Sequence, residues 1–186
     1  MFNSIFSERP FLATTLVFGA LAALNSFLFF VFIMGIGVYP FSSVHLLEIV
    51  IIAFFIGAGV WYYRFLLAEQ EFIFFQGAGI ALTISVVSVV LYSILMYFAM
   101  SSWFPQVFDL HIATQEAAVF ADRANIKEYE LILKNLANTK PIHIAIDEFI
   151  KKGFILTVPV IALGVFFRRT DVVALDTREE TEKKKK

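Results

Sequence analysis

FLATTLVFGALAALNSFLFFVFIMGIGV, residues 11–38, carries no charged side chain over 28 positions. A helix rises 1.5 Å per residue, so about 20 residues cross a hydrocarbon core of about 30 Å. The stretch reads as a membrane span. Ala20-Leu21-Ala22 imitates a cleavage site behind an apolar leader, but the oily run continues well past Ala22, and Glu8 and Arg9 cancel in the residues before it. Pro10 suits the first turn of a helix, where a missing amide donor costs nothing.

The whole chain has the same character. Of its 186 residues 59% are hydrophobic, 17% aromatic and 17% charged, with a mean hydropathy of +0.78. Ordinary globular chains are about 25% charged, so the surplus apolar surface must face lipid. The absence of cysteine excludes a disulfide scaffold, a thiolate metal site and a lipidated cysteine.

Working outward, Tyr39-Pro40-Phe41-Ser42-Ser43 predicts a turn, and a second span runs over about 44–63 with Glu48 its single charge. Arg64 closes it. After Glu69-Gln70-Glu71 a third span covers about 72–100, uncharged throughout. Trp61, Tyr62, Tyr63, Tyr97 and Trp103 fall where aromatic belts sit at headgroup level.

Residues 101–144 turn polar and predict an amphipathic helical hairpin outside the membrane. Pro105 can open its first helix, with Phe108, Ile112 and Val119 on one side. Asn125 and Glu128 form a capping box for the second, whose Tyr129, Ile132, Leu133 and Leu136 make an apolar stripe. That stripe is a candidate docking surface for the bilayer, the first hairpin helix or another protein. Pro141 starts the last helix, which crosses over about 145–167. Its uninterrupted apolar part is short, so Lys151 and Lys152 must reach the interface along their stems, and Pro159 can kink it. The tail 170–186 is charged and reads as disordered. The expected fold is all-α: a single four-helix membrane domain over 1–169.

Four spans put both termini on one side. Nine basic residues fall there, Arg64, Arg168 and Arg169 hugging the span ends, against six in the charged loop, which favours termini in the cytoplasm and the loop outside. Seven acidic residues nearly balance those six, so no nucleic-acid footprint exists.

Chemistry-bearing patterns are sparse. Gly57-Ala58-Gly59 and Gly77-Ala78-Gly79 lie at similar depth in antiparallel spans, and Ala81, Ser85 and Ser88 extend the second cluster into a small-residue stripe. Gly19, Ala23 and Ser26 offer a matching stripe on the first span. Lipid-embedded helices associate through such faces, so packing is the first reading and a substrate path the second. Asn25 should hydrogen-bond to Ser85 or Ser88 rather than sit unpaired in hydrocarbon. Glu48 is expected to form an ion pair at the membrane edge with Lys151 or Lys152. His45 with Glu48 and His143 with Asp147 could instead converge as a metal site. Motifs for phosphate binding, zinc proteolysis, cysteine or serine nucleophiles are missing, so no catalytic residue and no cofactor is assigned.

Three closely spaced spans, Tyr63-Arg64 after the second, Phe104-Pro105 opening a charged helical segment, and a short last span closing with Arg168-Arg169 resemble the bacterial membrane family known as domain of unknown function 4199. The likeness covers about residues 11–169 and departs at Glu69–Glu71, where that family tends to basic, glycine-containing connections. It implies a bacterial inner-membrane setting and no activity. The expected function is a non-enzymatic accessory protein docking a partner through its outer loop, either a homo-oligomer or bound to another membrane protein. The alternatives are a small oligomeric transporter or channel using Glu48 and the polar face of the third span, and a metal-dependent surface enzyme.

Overall fold

The computed structural model describes residues 10–42, 46–66, 73–121 and 129–167. Among them every regular element is helical: α1 (Pro10–Gly35), α2 (Leu46–Leu66), α3 (Phe74–Phe98) running into a π-helical turn (Ala99–Trp103), α4 (Pro105–Ala121), α5 (Tyr129–Ala137) and α6 (Pro141–Phe166). Four helices, α1, α2, α3 with its π turn, and α6, are long and apolar enough to cross a membrane. The chain is a multi-pass membrane protein. The expected capping box at Asn125 and Glu128, the Glu69–Glu71 connection, Arg168-Arg169 and the tail lie outside the described residues.

Local chemistry sets the helix ends. Gly37 takes a left-handed φ of 78°, and Gly37 N–H and Val38 N–H return to the carbonyls of Met34 and Ile33. This Schellman closure ends α1 where a residue with a Cβ would be strained. The Gln76 side chain accepts from Ile73 N–H at the start of α3, and His143 Nδ1 accepts from Lys140 N–H at the start of α6. Pro141 opens α6 in the first turn, four residues earlier than the span expected at 145. Phe104 N–H reaches back to Ala99 O at 2.7 Å, completing the wide turn before Pro105.

α3 packs on α1, α2 and α6, α2 also touches α1 and α6, and α4 stacks on the π turn with α5 on α4. Two apolar clusters fill the bundle. One, near the end where α1 begins and α6 finishes, gathers Ile52, Ile56, Ile84, Leu156 and Val160. The other, beneath α4 and α5, gathers Phe27, Phe30, Tyr92, Met96, Val107 and Ile144. Outward-facing side chains on the long helices are also apolar: Phe75 is 78% and Phe154 77% exposed. Surface of this kind suits lipid rather than water.

The small residues act differently from the expected pairing of two glycine clusters. A Cβ on Gly59 would meet Ile84 Cδ1 at 2.5 Å and Phe18 Cβ at 3.1 Å, and one on Gly19 would meet Val87 Cγ1 at 2.5 Å. Ala78 instead faces Gly164, where a Cβ would sit 3.1 Å from the alanine methyl. Gly57 has only ordinary contact with Leu163, and Gly79 meets nothing within 4 Å. Gly77, Ala81, Ser85 and Ser88 are buried on α3. Asn25 does not reach Ser85 or Ser88; its amide donates to Leu21 O at 2.8 Å. An amide four residues past a carbonyl on its own helix satisfies itself locally, which removes the need for a neighbour.

Candidate functional site

On α2, Glu48, Ile52, Ile56 and Val60 recur every fourth residue and are all buried. On α6 the same spacing runs Ile144, Glu148, Lys152, Leu156, Val160, Gly164, again all buried. Side chains four apart share a helix face. The faces that carry the apolar core therefore also carry three charges into it.

There the charges meet. Lys152 Nζ donates to Glu48 Oε2 at 2.9 Å, joining α6 to α2 across 104 residues, and to Glu148 Oε2 at 3.2 Å within α6. Side-chain exposures are 1% for Glu48, 1% for Lys152 and 4% for Glu148. The ammonium also stands 4.4 Å from the centre of the Tyr92 ring on α3, a cation–π contact in a desolvated setting. The fully buried Tyr92 hydroxyl faces Glu48 within interaction range. Ser26 Oγ on α1 donates to Glu48 O at 3.5 Å. Of the two candidate lysines, Lys152 is the one that meets Glu48. Lys151 lies on the surface and pairs with Asp147 one turn earlier.

Burying this trio gains little over well-packed apolar side chains, because desolvation offsets most of the attraction. Removing one member is a different matter, since it strands charge in a medium that cannot solvate it. The trio therefore acts as a register pin: it is satisfied only with α6 seated against α2 and α3 at one depth.

Above it opens a polar cavity of about 430 Å³. His111 and Gln115 of α4 form one wall, and His143, Asp147, Glu148 and Lys151 of α6 the other, with Phe41 and Leu136 at the edges. Glu148 belongs to both cavity and trio. The Phe41 ring lies 4.5 Å from that of His111, and Tyr39 Oη is 2.7 Å from His111 Nδ1. Burial lowers the His111 pKa and raises that of Tyr39. Tyr39 Oη also has the Gln115 and Thr114 side chains within hydrogen-bonding reach, and which of phenol and imidazole donates follows the tautomer of the ring.

Of the possible metal ligands, Glu48, His143 and Asp147 are among the described residues. Glu48 and Asp147 are engaged by lysines, His143 Nδ1 by Lys140 N–H, and His45 lies outside the described residues. Among the described residues no group of three His, Asp or Glu side chains is placed to hold a metal ion. The stripe Tyr129, Ile132, Leu133 and Leu136 is half-buried, α5 packing on α4 with the Tyr129 and Phe120 rings edge to face at 5.7 Å. Its first partner is α4, because a nine-residue helix needs tertiary contact to persist. Sequence reasoning passed over Glu148, Tyr92 and the Tyr39–His111 pair. The four-residue row from Ile144 to Gly164 was the signal for Glu148; contacts between distant segments left none for the others.

The profile of a family described as protein of unknown function, DUF4199, matches residues 16–169. The chain belongs to that family. The match takes in α1 from Leu16 onward, the other three long helices, the trio and the cavity, so the site lies inside the part that this DUF4199 member shares with its family's profile. No curated protein and no solved structure matches the chain.

Proposed function

We propose that this is a non-enzymatic accessory protein of the bacterial inner membrane, with both termini cytoplasmic, which docks a membrane-protein partner or a second copy through the extracytoplasmic cap formed by α4 and α5. The observation that carries this reading is the apolar surface the cap leaves uncovered: Leu110 is 50%, Phe120 55% and Leu131 51% exposed, on helices outside the four spans. Large apolar side chains in the open mark contact surfaces. The docking face shifts accordingly, since Tyr129, Ile132, Leu133 and Leu136 already lean on α4. The basic residues flanking the spans support the orientation.

Photocrosslinking in native membranes tests it. A probe at Leu131 or Leu110 captures protein in far higher yield than one at Leu133. Adducts with lipid alone from all three positions would overturn the reading.

A second reading, a small transporter, draws on Glu148 joining the cavity to the buried pair. Against conduction through one protomer stands the apolar layer of Ile52, Ile56, Ile84, Leu156 and Val160 beyond the trio. Transport then needs an oligomer, and flux into proteoliposomes that disappears with Glu48→Gln while the protein stays folded would support it.

A further inference from the structure

The cavity between α4 and α6 holds two kinds of group a short distance apart. Asp147 and Glu148 offer carboxylate oxygens, while His111, His143, Gln115 and Lys151 offer N–H donors. The donor role of each histidine is set by its other nitrogen. His143 Nδ1 receives Lys140 N–H at 3.1 Å, which leaves Nε2 as the N–H donor of that ring, and the His111 ring is held at Nδ1 by Tyr39. Asp147 is paired with Lys151 and Glu148 with Lys152, so a pure anion or a pure cation would unbalance these pairs. A molecule with both signs meets neither objection.

The depth of the cavity narrows the choice. It lies along the first three turns of α6, at the end of the bundle where the Tyr97 and Trp103 side chains of the third span emerge. With about 20 residues needed to cross the hydrocarbon, the span ending at Phe166 leaves His143 at headgroup level. About 430 Å³ holds a headgroup-sized molecule.

We propose that this cavity binds a small zwitterion carrying a primary ammonium and an oxyanion, the chemistry of phosphoethanolamine, with the ammonium on Asp147 and Glu148 and the oxyanion on Lys151 and the two imidazoles. Primary ammonium is specified because its N–H groups can donate to both carboxylates, which a quaternary ammonium cannot. The source is either a phosphatidylethanolamine headgroup or a free zwitterion.

Thermal unfolding of the full chain separates these. In detergent free of lipid, phosphoethanolamine raises the unfolding temperature, while phosphocholine and ethanolamine at equal concentration do not. Lys151→Gln and Asp147→Asn alter an exposed pair, so both variants fold, and each weakens the response about tenfold through loss of a charge-assisted hydrogen bond. If soluble phosphoethanolamine is inert but nanodiscs of phosphatidylethanolamine stabilise the protein over phosphatidylcholine, with the same loss in both variants, the ligand is the lipid. No stabilisation by either source, or stabilisation unchanged in both variants, overturns the proposal.

Discussion

At the end of the bundle where α1 begins and α6 finishes, Gly19, Gly59 and Gly164 let helices touch without room for a methyl group, whereas at the end beneath α4 and α5 the helices meet through Glu48, Lys152, Glu148 and Tyr92. Both are answers to one problem. Inside lipid no water is expelled when apolar helices meet, so association needs close dispersion contact or polar partners. Close contact is tolerant of chemistry and intolerant of volume; the ion-paired end has the reverse sensitivities.

The largest test acts on the charged end. Lys152→Ala leaves two buried carboxylates facing each other and destabilises the bundle by about 3–5 kcal/mol in reversible unfolding from detergent micelles. Replacing all three, as Glu48→Leu, Glu148→Leu and Lys152→Met, restores stability to near the parent or above. Failure of that triple change would sharpen the contrast by showing that register at this end requires charge.

Next comes volume at the other end. Gly59→Val and Gly19→Val force Ile84 or Val87 out of place and cost about 1–3 kcal/mol. Gly79→Ala, with nothing within 4 Å, is neutral or gains up to about 1 kcal/mol from helix propensity. A loss at Gly79 equal to that at Gly59 would break the claim that only specific glycines carry the contact.

Acidification touches the charged end through its cap. The His111 pKa is lowered in the folded protein, so the unfolded chain binds the proton more readily. Stability is full above the ordinary value of 6.5 and falls as pH drops below it. Protease access to the α4–α5 cap rises over that window, and Tyr39→Phe, which deletes the 2.7 Å bond, costs about 1 kcal/mol at neutral pH. The smallest effect is expected at Asn25→Ala, no more than about 0.6 kcal/mol, because its amide bonds within its own helix.

Much of the architecture is legible from composition. Uncharged stretches of span length, Pro10, Pro105 and Pro141 at helix starts, and the polar switch after Ser101 place every long helix within a few residues. An ion pair of Glu48 with Lys151 or Lys152 is legible because isolated charge at that depth is costly, while the choice of Lys152 follows from which face of the last helix turns inward. The pairing of glycines is not. Equal depth says that Gly57–Gly59 and Gly77–Gly79 can meet, but rotation of each helix about its axis decides which face does, and Gly164 takes Ala78 instead. The same rotation hides Tyr92 behind its neighbours on α3. His111 meets Tyr39 over 72 residues, a distance at which periodicity carries no information.

The bond between Lys152 and Glu48 has a bearing on biogenesis. Synthesis delivers the glutamate 104 residues ahead of its lysine, so the first three spans leave the ribosome before the counter-ion exists. A nascent hairpin of α1 and α2 then has reason to keep the start of α2 at the water boundary until the last helix arrives. Seating of α6 becomes the step that draws the carboxylate inward, which makes completion of the chain, rather than insertion of its early helices, the moment the bundle closes.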